Sequence, residues 1–82
     1  MNINDYRTPG QLIKGFLEER CWSQRVLAII LDVDETGINK IITGKKPLDA
    51  EMALLLGEVF DYDPEKFLEL QKSYDLAQAR IV

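Results

Sequence analysis

Histidine is absent from the 82 residues, and cysteine occurs once, at Cys21. The first absence removes the commonest general base and the commonest metal ligand together. The second excludes an internal disulfide and suits a reducing compartment. Long apolar runs are also missing. The longest, Val26 to Leu31, is far too short to span a bilayer. Residues 1–7 lack the basic and apolar regions of a signal peptide, so a cytoplasmic location with no membrane partner is expected. An excess of positive charge is missing too: the formal net charge is −4. Without histidine or an activated nucleophile, the scattered carboxylates have nothing to work with. No enzyme activity, catalytic residue or cofactor is expected.

The charge that is present is unevenly spread. Residues 1–48 carry seven Lys/Arg against six Asp/Glu, a balance of +1, whereas residues 49–82 carry three against eight, a balance of −5. A polyanion partner must therefore be met by the N-terminal half.

Apolar spacing of three and four recurs from Pro9 onward, and no segment alternates with period two, so the fold class is all-α. Thr8-Pro9 reads as an N-cap and first helical residue, and Leu12, Ile13, Phe16 and Leu17 form the stripe of a helix ending near Arg20 and Cys21. Ser23 caps a short second helix, Gln24 to Leu31, packing Leu27, Ala28, Ile30 and Leu31. Asp32-Val33-Asp34 interrupts it. Asp34 caps a third helix, Glu35 to Thr43, with Ile38, Ile41 and Ile42 inward, and Gly44 stops it. Asp49 caps a fourth helix with Met52, Ala53, Leu55, Leu56, Val59 and Phe60 inside. Asp63-Pro64 opens a fifth, with Phe67, Leu70, Tyr74, Ala77 and Ile81 in one stripe. Residues 1–7 are expected to be a flexible arm and residues 8–82 one domain. Trp22 should cover the end of the core between the first two helices.

Two short helices joined by a tight turn, between Ser23 and Gly44, are what a reader of the major groove needs. With the isoleucines inward, Glu35, Thr36, Asn39, Lys40 and Thr43 lie on the outer face. Asn39 can pair with adenine, Lys40 with guanine acceptors, Thr36 with a thymine methyl, and Glu35 with a cytosine amine. Gln24, Arg25, Thr43, Lys45 and Lys46 are expected to hold phosphates. The run Asp32-x-Asp34-x-Thr36-Gly37 is similar to the start of a calcium loop, but Thr43 stands where that loop needs its bidentate glutamate, so no metal is expected.

The run Trp22-Ser23-Gln24-Arg25-x-Leu27-Ala28-x-x-Leu31-x-Val33-x-x-x-x-Ile38-x-Lys40-Ile41-Ile42-x-Gly44-Lys45-Lys46-Pro47-Leu48 resembles the lambda-repressor-like, Xre-type helix-turn-helix family. Pro9-Gly10-x-Leu12-Ile13, Ala50-Glu51-Met52-Ala53 and Phe67-x-x-Leu70-Gln71-x-x-Tyr74-Asp75-Leu76 are similar to its HigA (VapI)-type antitoxins. The resemblance implies a five-helix lambda-repressor-like domain, a homodimer on a palindromic operator of double-stranded DNA, repression of its own operon, and a RelE-like toxin as partner. With it, the wide apolar face of the last helix assigns Leu68, Tyr74 and Leu76 to a dimer seam. The sequence departs from the family pattern at Asp32, usually glycine, at Gly37, often Thr or Ala, and at Cys21, Asp34 and Glu35. Two further readings fit the same residues: a stand-alone Xre-type regulator, and a helical protein-interaction module whose acidic turn has abolished DNA binding.

Overall fold

The computed structural model describes residues 7–81, and among these residues five helices and no strand are found. They are α1 (Pro9–Arg20), α2 (Gln24–Leu31), α3 (Glu35–Ile42), α4 (Ala50–Phe60) and α5 (Pro64–Ile81). The arm expected over residues 1–7 lies outside the described residues except for Arg7, whose backbone N–H donates to Gln11 Oε1 at 2.7 Å.

Each helix starts where a side-chain oxygen takes an orphan backbone N–H. Thr8 Oγ1 accepts from Gln11 N–H (3.1 Å), Ser23 Oγ from Val26 N–H (3.1 Å), and Asp34 Oδ1 from Thr36 N–H (3.2 Å). Asp49 Oδ1 accepts from Met52 N–H (2.8 Å) and Asp63 Oδ1 from Glu65 N–H (3.0 Å). Three helices end on a left-handed residue that is not glycine: Cys21, Asp32 and Asp61. At the turn of the helix-turn-helix, Asp32 has φ 56°, and Val33 N–H donates to Ala28 O at 3.0 Å. Aspartate accepts this region better than most side chains.

The core is shared by every helix. Leu12, Ile13 and Leu17 of α1 meet Leu27, Ala28 and Leu31 of α2, Ile38 and Ile41 of α3, and Ala53, Leu56 and Phe60 of α4. Phe67 of α5 is fully buried at their centre. Helix α1 packs on both α3 and α5. Gly10 permits the first contact, because a Cβ there would meet the Ile42 carbonyl oxygen and lie 2.7 Å from its carbon.

Two positions depart from the expected packing. Ile30 was expected inside and is 46% exposed. On an eight-residue helix turning about 100° per residue, Leu27, Ala28 and Leu31 share one face, and Ile30 falls well off it. Ala77 was expected on the buried stripe of α5 and is exposed. The stripe is continuous in sequence, but beyond half-buried Tyr74 residues 75–80 are all exposed. The side chain of Ile81 lies outside the described residues.

Trp22 does cover the core, against a different neighbour from the one expected. Its ring lies 6.0 Å from that of Phe60 in α4, which itself stacks on Phe16 at 4.7 Å. Arg20 completes this cluster. Its guanidinium lies 5.0 Å from the Phe60 ring centre, 5.4 Å from Phe16 and 5.8 Å from Trp22, and donates to Phe60 O at 3.4 Å. That places a cation at the C-terminus of α4, the negative end of its dipole.

Candidate nucleic-acid interface

Helix α2 packs against α3 through Leu27, Ala28, Ile38 and Ile41, with Val33 half-buried in the turn between them. Burial of Ile38 and Ile41 turns Glu35, Thr36, Asn39 and Lys40 to solvent, and all four are exposed. Gln24, Glu35, Thr36 and Asn39 line one shallow depression of about 260 Å³. Three of the four base-reading candidates thus share this depression, with Lys40 exposed beyond it, and Gln24 joins them from the start of α2.

That junction is made by a hydrogen bond. Asn39 Nδ2 donates to Gln24 Oε1 at 3.0 Å. One amide proton of Asn39 is thereby used, while its second proton and Oδ1 have no partner among the described residues. Pairing with adenine needs one donor and one acceptor from the amide, so Gln24 fixes the amide plane without spending its reading capacity. No periodicity in the sequence points to this bond, since it joins residues fifteen apart on two different helices.

The phosphate candidates divide. Arg25, Lys45 and Lys46 are exposed. Among the described residues the one ion pair is Lys66–Glu69, so Arg25, Lys40, Lys45 and Lys46 are held by no carboxylate. Thr43 is different. It lies just past α3, which ends at Ile42 rather than Thr43, and its hydroxyl donates back to Asn39 O at 2.9 Å. Its proton must leave that bond before it can reach a phosphate. After Thr43 the chain winds tightly, with Lys45 N–H and Lys46 N–H both donating to Lys40 O (2.8 and 3.1 Å). This sets the two lysines directly beyond the end of α3.

Of the acidic turn, Asp34 is occupied as the cap of α3, and Glu35 sits in the first turn, where the helix dipole favours a carboxylate. Gly37 behind them faces open space, with nothing within 4 Å of a Cβ built on it. Gly37→Ala should therefore gain the helix propensity of alanine, about 1 kcal/mol, and raise the midpoint of thermal unfolding by roughly 4–8 °C. A lower midpoint would mean that position 37 is strained.

The proposed seam residues sit on α5. Leu68 packs partly on the core, Tyr74 is half-buried, and Leu76 is 46% exposed.

A capped pair of short helices, braced by three others and showing a polar row beside cations that no carboxylate among the described residues holds, has the arrangement of a helix-turn-helix protein. No family model matches the chain. It is 32% identical over 79 residues to an uncharacterized HTH-type transcriptional regulator, YddM, of Escherichia coli strain K12, covering 96% of this chain and 84% of that protein. It is 41% identical over 71 residues to virulence-associated protein A' of Dichelobacter nodosus, covering 85% of this chain and 62% of that longer protein. The solved structure of the Pseudomonas aeruginosa antitoxin HigA with the higBA promoter matches with TM-score 0.82 and 34% identity, over 88% of this chain and 79% of that one. The chain belongs to the HigA-type family of helix-turn-helix transcriptional regulators.

Proposed function

We propose that this chain is a sequence-specific DNA-binding regulator, an antitoxin that represses its own operon as a homodimer on a palindromic site. The observation that carries the reading is the exposed row Glu35, Thr36, Asn39 and Lys40 on α3, flanked by cations that no carboxylate among the described residues holds. Helix α3 enters the major groove, Asn39 and Lys40 read base edges, and Arg25, Lys45 and Lys46 grip phosphates. Two protomers joined through Leu68, Tyr74 and Leu76 of α5 would present their α3 helices about 34 Å apart, one turn of the duplex. The function requires no catalytic group and places the protein in the cytoplasm with its DNA. Among the described residues no helix is long and apolar enough to cross a membrane.

The acidic C-terminal half suits a basic partner, and a RelE-like toxin encoded beside it is the one proposed. The deciding experiment is a mobility shift on the DNA upstream of its own gene, across a salt series. Failure to bind any palindromic site at low salt sinks the DNA reading and leaves the interaction module. Lys45→Ala should weaken binding to operator and random duplexes alike and reduce the salt slope by about 0.9, the release from one phosphate. An unchanged slope would remove Lys45 from the backbone contacts. Co-purification of the neighbouring gene's product would separate the antitoxin from a stand-alone regulator.

A further inference from the structure

The segment that carries Lys45 and Lys46 meets α5 at both ends. At one end Gly44, with φ +82°, lies against the Tyr74 hydroxyl, which would be 3.1 Å from a Cβ at that position. At the other end Leu48 buries its side chain in the core, and its N–H donates to Gln71 Oε1 at 2.9 Å. Gln71 is itself oriented: its Nε2 donates to Asp75 Oδ1 at 2.8 Å. The carboxylate can only accept, so it fixes the amide with its oxygen toward Leu48.

We propose that Gln71, oriented by Asp75, is a positioning residue of the DNA interface, setting the Lys45-Lys46 segment in place for the phosphate strand. This rests on the DNA-binding reading above. Without the Gln71 oxygen, the part-buried Leu48 N–H has no partner among the described residues, and the segment must shift to reach water. The two ammonium groups then start from a broader ensemble, and each phosphate contact carries a larger ordering cost.

Gln71→Met, which keeps the length of the side chain and removes the acceptor, should reduce the salt slope by about 1 to 2 and weaken operator and random duplexes by the same factor, roughly tenfold. In that background Lys45→Ala should cost less than it does in the wild type, because the two changes act through one contact. The double variant Gln71→Glu with Asp75→Asn restores an acceptor toward Leu48 and a pairing between 71 and 75 with the donor reversed, at unchanged net charge. It should recover the wild-type slope. A Gln71→Met protein with the wild-type slope, additive loss with Lys45→Ala, or a double variant that regains thermal stability but not slope would each overturn the proposal. A wild-type protein that binds neither duplex overturns the DNA reading and this inference with it. Wild-type binding with an unaffected Gln71→Met overturns this inference alone.

Discussion

Gly10→Ala should lower the midpoint of thermal unfolding by roughly 8–16 °C. The added Cβ would lie 2.7 Å from the carbonyl carbon of Ile42 and 2.8 Å from its Cα, closer than real contacts allow. These are backbone atoms at the C-terminal end of α3, so no rotamer change relieves the clash. Overpacking of this kind costs about 3 kcal/mol when the surroundings cannot yield. Alanine returns about 1 kcal/mol of helix propensity, leaving a net loss of roughly 2 kcal/mol. At 4–8 °C per kcal/mol for a domain of this size, that loss gives the shift stated. Gly37→Ala is the internal control: the same chemical change in open space has the opposite sign. A Gly10→Ala protein that melts at or above the wild type would show that α1 does not rest on the α3 backbone as described.

Asn39→Ala and Lys40→Ala should each cost the operator about 10- to 100-fold in affinity, with random duplexes losing far less. A good bidentate base contact discriminates by about 1–3 kcal/mol, and 1.4 kcal/mol is a factor of ten. Gln24→Ala should reproduce part of the Asn39 effect although Gln24 need read no base, because it fixes the Asn39 amide plane. The measurement is a pair of dissociation constants, operator and random, for each variant at one salt concentration. If both duplexes lose equally with Asn39→Ala and Lys40→Ala, α3 does not present this face to base edges.

What was legible in the sequence was local. Thr8, Ser23, Asp34, Asp49 and Asp63 announce their helices because a cap is made within three residues of the chain. The starts of all five helices follow from these caps, and the end of α3 falls at Ile42 rather than at Thr43. Ile30 was misplaced because an apolar residue on a short helix looks buried whichever way it turns. Ala77 was misplaced because a stripe continues in sequence past the point where the core stops. Asp32 stands where the family pattern has glycine, and it holds the left-handed turn as read; nothing in the sequence singled out Cys21 and Asp61 for the same conformation. Within the candidate site, the outward face of α3 was readable from the inward spacing of Ile38 and Ile41. The Gln24–Asn39 and Gln71–Leu48 bonds were not, since each joins distant parts of the chain through groups that are ordinary surface amides in the sequence.

The aromatic cluster at the corner of α1 and α4 has a practical consequence. The chain holds a single tryptophan, and Trp22 sits with its indole against Phe60 and Arg20, one residue before the cap of α2. Melting must pull that ring away from both helices and into water. The domain therefore carries its own fluorophore at the corner of α1 and α4, just ahead of α2, and the stability of every variant can be followed by the colour of its emission, with no label attached.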